Sequence, residues 1–325
     1  MKDLDEVIES KGRKFLFFVE KSNDEEDYIK YEQLRREIWM DPYDSLSCPR
    51  NMASENYFND GSSLFIGVYA GDEKGNIQRD TARFIGFAYG YIGVINKDIA
   101  YKKAGNLNFY SQYAAVKKEY RNLKLGLLLK LYQKKAVQAL FHIDSITCTF
   151  DPLTGVNAYR NIYKLGMEVI DYKISYYRGF SGILNRADIP SDRFLALWRL
   201  SGQKEKPDYD LDSLFQTKEL VVSSSERRIG GKTGEVMTQV SHEIDCDVLQ
   251  SLKPYALIEI PYDFYGMLQE TDVSDDKVRR IPLDWRIRTR KAFTELFKTG
   301  YRIVDFRCKK INSMKRSFYV LSKKA

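Results

Sequence analysis

A basic turn set between an apolar strand and a leucine-rich helix constrains this chain more than any other stretch. Residues 114–131 read AAVKKEYRNLKLGLLLKL. Ala114 to Val116 predicts a buried strand, Glu119 to Gly126 a polar turn carrying Arg121 and Lys124, and Leu127 to Leu140 a helix. The first amides of a helix have no partner inside it. Joined by the positive end of the helix dipole and two cationic side chains, they make an anion site suited to a pyrophosphate. The plainer alternative is an ordinary basic turn ahead of a core helix.

The flanking segments alternate between strands and helices. Phe15 to Val19 predicts a first strand. Glu25 to Trp39 carries Tyr28, Tyr31, Leu34 and Ile38 at helical spacing, and Asp41 to Gly61, with Pro42 and Pro49, predicts a long loop. SLFIGVYA (63–70) and FIGFAYGYIGV (84–94) predict two strands of a loose hairpin. Gly86, Gly90 and Gly93 in the second mark a bulge or a close backbone approach. Leu107 to Val116 is a central strand, and Ser145 to Phe150 follows the helix, so a βαβ crossover and parallel pairing are expected. Asn157 to Leu165 predicts a helix closed by Gly166, and Glu168 to Arg178 a strand.

Length and composition bound the remainder. At 325 residues two domains are expected, 1–200 and 201–325, divided at the breaker-rich SGQKEKP (201–207). Ser223 to Gly234 predicts a further loop. Strands at 255–260, 301–307 and 317–321 and a helix at 283–299 give the C-terminal part an α+β core, one able to extend the first sheet. With 43% hydrophobic residues and no apolar run near the ~20 needed to span a bilayer, no membrane partner is expected. The polar start MKDLDEVIESKGRK is no secretory signal, and a cytoplasmic chain is expected. The scattered Cys48, Cys148, Cys246 and Cys308 suit free thiols. Only His142 and His242 exist, neither near a second metal ligand, so neither a metal centre nor a Ser-His-Asp triad is expected. A net charge of +7 suits an anionic small ligand as well as nucleic acid, but no RNA-binding or helix-turn-helix signature accompanies it.

The order strand, helix, loop, paired strands, central strand, anion turn and helix, strand, helix, strand resembles that of the Gcn5-related N-acetyltransferases (GNAT). VKKEYRNLKLGLLL resembles that superfamily's Arg/Gln-x-x-Gly-x-Gly/Ala signature, and AYRNIYKLGMEV its later helix ending in a Leu-Gly turn. TFDPLTGVNAYRNIYKLG followed by LNRADIPSDRFLALW looks like a little-characterised GNAT subgroup, whose C-terminal extension is matched by LIEIPYDF, DWRIRTRKAF and GYRIVDF. The resemblance implies an α/β (α+β) fold: a GNAT-like mixed central sheet flanked by helices, with a smaller C-terminal α+β extension. It also implies acetyl-CoA or another acyl-CoA as co-substrate, with no metal and a small amine as acceptor. Some relatives in the subgroup are associated with N-succinylation of amino acids, which implies a succinyl donor. A homodimer is compatible with all of this.

Acyl transfer needs an anchored donor, a polarised carbonyl, a deprotonated amine and a protonated or tolerated thiolate. Anchoring falls to the backbone of Arg121, Asn122, Leu123, Lys124, Leu125, Gly126 and Leu127. A main-chain amide at Ala115 or Val116 would polarise the carbonyl, where the central strand of this fold splays from its neighbour; a plain buried strand fits the same residues. Lys124 stands where the signature puts its first Gly, which is acceptable if its backbone stays right-handed. Ser111 and Asp151 are catalytic candidates in the crevice at the strand ends, although Asp151 before Pro152 also suits a turn cap. Gln112 and Arg160 are candidates for the acceptor. Asn157 and Asn161, four apart on one helix face, are assigned to the cofactor, with Asn157 equally an N-cap. Many acetyltransferases place a general-acid Tyr four residues before the helix-ending Gly. Ile162 stands there, and Tyr163, about 100° further round a helix, is the nearest candidate. Three further features read as structural: Cys148 as a buried thiol, Gly231-Lys232-Thr233 as a loop, and Arg286, Arg288, Arg290 and Lys291 as a solvated helix face. Two other functions stay open, a non-catalytic module that binds or senses acyl-CoA and a basic protein acting on RNA or acidic surfaces.

Overall fold

The structure, a computed structural model, describes residues 4–40, 44–177, 184–202, 208–216, 220–234, 236–243, 254–311 and 314–323. Contacts divide the chain into two compact units, Met1–Cys148 with Arg199–Ser201, and Thr149–Trp198 with Gly202–Ala325. Residues 149–198 therefore group with the C-terminal residues. Residues 203–207 of the linker expected at 201–207, Cys246 and Arg178 lie outside the described residues.

The first unit is a mixed sheet flanked by helices. Its elements are β1 (Glu6–Ser10), β2 (Arg13–Val19), α1 (Glu26–Trp39), α2 (Pro49–Glu55), β3 (Ser63–Ala70), β4 (Phe84–Val94), β5 (Leu107–Val116) and α3 (Leu125–Phe141). A last strand, β6 (Ser145–Phe150), begins in this unit and ends in the second. The strands lie in the order β1-β2-β3-β4-β5-β6, antiparallel up to β5, and β5 pairs with β6 in parallel, as a βαβ crossover requires. Adjacent residues of β2 point to opposite faces, and both faces are covered. Phe17 meets Tyr132 of α3, with ring centroids 5.6 Å apart, while Phe18 joins the cluster that α1 seals with Tyr28, Tyr31, Leu34 and Ile38. A sheet covered on both sides buries continuous apolar runs, and every residue of β3 is buried.

One expectation fails here, and one strand was not foreseen. The loop predicted over 41–61 contains α2, which Pro49 opens at its first turn. Strand β1 is polar and short, so its pattern gave no signal. It forms because Lys11 and Gly12 both take positive φ, 51° and 75°, the conformation of a two-residue hairpin turn between Ser10 and Arg13.

The second unit begins with α4 (Gly155–Ala158), which runs on as a π-helical turn, Tyr159–Lys164, and closes at Gly166 with φ 67°. Strands β7 (Glu168–Lys173) and β8 (Arg193–Arg199) pair antiparallel. The predicted strand 168–178 stops at Lys173, where Ser175 takes φ 49°. Then follow α5 (Leu211–Gln216), β9 (Leu220–Arg228), β10 (Val236–Glu243), β11 (Tyr255–Ile260), α6 (Phe264–Glu270), α7 (Asp276–Arg279), α8 (Ile281–Lys298), β12 (Arg302–Ile311) and β13 (Met314–Ser322). The last strands do not extend the first sheet. They form their own, in the order β10-β9-β11-β13-β12. Ser223 to Arg228, expected as loop, belongs to β9, whose three consecutive serines followed by charged residues offered no apolar pattern.

Candidate functional site

In the first unit the turn after β5 leaves a run of amides open. Arg121 and Lys117 bound a short 3₁₀ turn, Lys118–Tyr120. Asn122 and Lys124 then take φ 65° and 59°, while the residues between and after them stay at negative φ. Alternating hands turn successive N–H groups toward one side, the geometry of an anion-binding nest. Helix α3 starts at Leu125, two residues earlier than predicted, and no side chain caps it. The first amides with intrahelical partners are those of Leu127 and Leu128, both donating to Lys124 O, at 3.0 and 3.1 Å. None of the amides of residues 122–126 donates to a described acceptor. The turn is pinned from behind, since Ser10 Oγ donates to Leu123 O at 2.7 Å. Arg121 and Lys124 are exposed, and no carboxylate among the described residues pairs with either. Lys124 is thus left-handed, contrary to expectation. It sits where a glycine is at ease, because the nest needs that φ whatever the side chain.

The strand leading into this turn is open on one edge. Strand β5 pairs with β4 from Leu107 to Val116, but its parallel ladder with β6 covers only Phe109–Ile146 and Tyr110–Thr147. From Ser111 onward β5 has a partner strand on the β4 side alone, so the amides that face away from β4 near Ala115 and Val116 are not in a ladder. A bulge begins at the same place. Tyr89 pairs with Tyr113 and Gly90 with Ser111, which leaves Gln112 as the extra, exposed residue. Gly90 makes this possible, since a Cβ there would lie 2.4 Å from Tyr110 O and 2.5 Å from the Phe109 ring. The glycine-rich strand announced this feature in the sequence.

Ser111 is 3% exposed and is not free. Its Oγ accepts from Lys130 Nζ at 2.6 Å, and Lys130, also 3% exposed, reaches Gln133 Oε1 at 3.4 Å. Lys130 escaped the sequence reading, although one lysine inside the run LGLLLKL was a signal for a buried, partnered cation.

The other predicted residues belong to the second unit and have partners within it. Asp151, 4% exposed, accepts from the Leu153 amide at 2.8 Å and forms an ion pair with Arg286 Nη2. It is at once a turn cap and a buried counter-ion. Arg160 donates to Asn157 Oδ1 at 2.7 Å and to Asn161 Oδ1 at 3.3 Å, so these three form one local network. The Asn157 side chain does not cap α4, whose N-cap is Thr154. Tyr163 is exposed, stacks on Tyr159 with centroids 4.9 Å apart, and has the Arg307 guanidinium 4.7 Å from its ring. Leu165 N donates to Arg160 O, an i→i+5 bond, so spacings counted on α-helical geometry do not hold in this turn.

The basic face of α8 is not solvated as expected. Arg286 is fully buried, and Arg290 forms a two-pronged pair with Asp192 at 2.8 and 2.7 Å. Arg286 shares helical spacing with buried Thr289 and Phe293, a sequence signal that composition obscured. Two structural readings hold. Cys148 is buried, and the Gly231–Gly234 loop is filled by its own chain, since the Thr233 and Gly234 amides both donate to Glu270 Oε1. No group of three potential metal ligands occurs among the described residues, and no described helix is long and apolar enough to cross a membrane.

No protein-family model matches the chain, and no curated protein matches it either. Solved structures similar to it include Arabidopsis thaliana NAA60 in complex with acetyl-CoA, at 15% identity and TM-score 0.42 over 58% of this chain and 99% of that one. The ribosomal-protein-S18-alanine N-acetyltransferase from Escherichia coli matches at 11% identity and TM-score 0.38, over 59% and 99%. A GNAT-family acetyltransferase from Streptococcus pneumoniae matches at 11% and 0.40, over 57% and 99%.

Proposed function

We propose that the chain is an acyl-CoA-dependent N-acyltransferase that moves an acetyl or succinyl group to a primary amine of a small molecule. One observation carries this reading. The nest of open amides at residues 122–126 stands at the end of a strand whose outer edge is free from Ser111 to Val116. The nest and the unpaired cations of Arg121 and Lys124 fit a pyrophosphate, and a free strand edge fits an extended amide-bearing chain. An amide on that edge near Ala115 or Val116 would donate to the thioester oxygen. The amine nitrogen then attacks the carbonyl carbon directly, the C–S bond breaks, the sulfur leaves as thiolate, and the proton that the nitrogen sheds goes to the thiolate or to water. The sequence resemblance to the GNAT signature agrees with this assignment.

The test has two arms. Calorimetry is expected to detect CoA binding that weakens about tenfold or more in the double variant R121A/K124A, given charge-assisted bonds of ~1.5–3 kcal/mol each. Thiol release from acetyl- and succinyl-CoA, assayed across an amine panel, is expected to require an acceptor. Binding that is indifferent to both substitutions overturns the donor site.

A second reading, a module that binds acyl-CoA without turnover, is favoured by a separate observation. Ser111 is held by Lys130 and Asp151 by Arg286, and the Tyr163 ring is stacked. Tight CoA binding with no release for any amine would select it.

A further inference from the structure

Strand β1 has no apolar pattern, yet the β1–β2 hairpin grips the turn of open amides on either side of Arg121. Before it, the Arg13 guanidinium lies 4.7 Å from the Tyr120 ring centroid, and Phe15 meets the same ring edge-on at 6.4 Å. Tyr120 closes the 3₁₀ turn that leads into Arg121. After it, Ser10 Oγ donates to Leu123 O at 2.7 Å. Ser10 is 8% exposed and is the last residue of β1. It pairs with Arg13 across the left-handed Lys11–Gly12 turn, so the hairpin sets its place. Two further bonds tie the start of the chain to α3. Tyr132 donates its hydroxyl to Leu4 O at 2.7 Å, and Lys135 pairs with Glu6 at 2.7 Å.

Leu123 O and the Lys124 amide belong to one peptide group. In a trans peptide, as every described one is, the C=O and the N–H point in opposite directions. The hydroxyl that holds Leu123 O on the β1 side therefore aims the Lys124 N–H away from β1, and it polarises that amide as well. Lys124 N is the central member of the five open amides, residues 122–126, none of which donates to a described acceptor. This peptide is also the one most ready to flip. A flip would change the φ of 59° at Lys124, relieve the cost of its left-handed backbone and turn the N–H inward. It would also break the Ser10 bond, which opposes it. We propose that Ser10 is a positioning residue for the donor site: its hydroxyl locks the Leu123–Lys124 peptide so that the Lys124 amide faces a pyrophosphate oxygen. Ser10 touches no substrate and acts through that one peptide. The role rests on reading the turn as the seat of the acyl-CoA pyrophosphate, and it gives a task to a strand that the sequence did not announce.

Calorimetry with CoA on the full chain, together with nuclear magnetic resonance of the ligand-free protein, tests this. Ser10→Ala is expected to weaken CoA binding about fivefold, less than the loss of a whole hydrogen bond to a charged group, because the amide remains and only its aim is lost. Ser10→Thr keeps the hydroxyl on a β-branched side chain that suits a strand, and is expected to bind as the wild type does. The nitrogen resonance of the Lys124 amide is expected to shift in S10A without ligand and to stay in place in S10T. A side chain that merely stabilised the fold would lower Tm and leave the affinity of the folded protein unchanged. A wild type that binds no CoA overturns the donor reading and this role with it. CoA binding that falls in R121A/K124A but not in S10A overturns the role of Ser10 alone. So does a Lys124 resonance that does not move in S10A, or an S10T protein with the wild-type resonance that binds CoA as weakly as S10A.

Discussion

Lys124 carries a backbone cost that its position in the nest imposes. At φ 59° its Cβ crowds the following carbonyl, a strain of ~1–2 kcal/mol for an L-residue that glycine avoids. Glycine gives back part of that gain through its freer unfolded chain. Lys124→Gly is therefore expected to be more stable than Lys124→Ala by about 1 kcal/mol in urea unfolding, although both lose the same charge. The two variants should bind CoA equally, and more weakly than the wild type, if the ammonium contributes to binding. Equal stability of the pair would show that the turn relaxes out of the left-handed conformation. Asn122, at φ 65°, is better suited to its place, since asparagine visits this region more readily than lysine.

At the scale of elements, the ends of α1 and β5 are joined through charged groups. Glu32 accepts from Arg35 at both oxygens, from Arg36 and from the Leu46 amide, while Asp44 accepts from the Tyr113 hydroxyl at 2.8 Å. Burial pushes the Glu32 carboxyl up, but the bonds from Arg35, the Leu46 amide and Arg36 outweigh it and hold the group below its ordinary value of 4.5. A carboxyl lowered in the folded state binds protons more readily when unfolded. Its stabilisation is therefore complete above pH 4.5 and is lost as pH falls through the lower folded value. Glu32→Gln should be less stable than the wild type at pH 7, and the difference in urea unfolding should shrink steadily below pH 4.5. A difference constant from pH 7 to pH 3 would sink this account. Such a junction is not legible in sequence. The bounds of β3, β4, β5 and β6 were legible, because apolar runs covered on both faces mark themselves. The bulge at Gln112 was foreshadowed by Gly90. Which carboxylate meets which donor was not, because Asp151 and Arg286, or Asp44 and Tyr113, are brought together by topology and not by spacing. For the same reason the turn of open amides could be found from residues 114–131, whereas the engaged states of Ser111 and Asp151 could not.

For the whole molecule, the pairing of buried charges decides where the chain can be cut. The sequence places a domain boundary near residue 200, yet Asp151 and Asp192 have their cations, Arg286 and Arg290, on α8. Tyr319 of β13 also donates to Pro152 O at 2.7 Å. A fragment of residues 1–200 would keep both carboxylates, 4% and 0% exposed in the full chain, and lose both guanidinium partners. Removing one partner of a buried ion pair costs ~3–5 kcal/mol, and two such losses approach the ~5–15 kcal/mol that stabilises a whole domain. The apolar surface of β8 that packs on α8, Phe194 against Phe293 at 4.9 Å, would be exposed as well. The 1–200 fragment is therefore expected to be aggregated, or to unfold without a cooperative transition by circular dichroism. Replacing both aspartates by asparagine in that fragment removes the charge penalty and should improve its solubility, because an unpaired amide costs less to bury than an unpaired carboxylate. A 1–200 fragment that unfolds cooperatively near the Tm of the full chain would mean that residues 149–198 draw their stability from the first unit. The pairs with α8 would then be secondary to the fold.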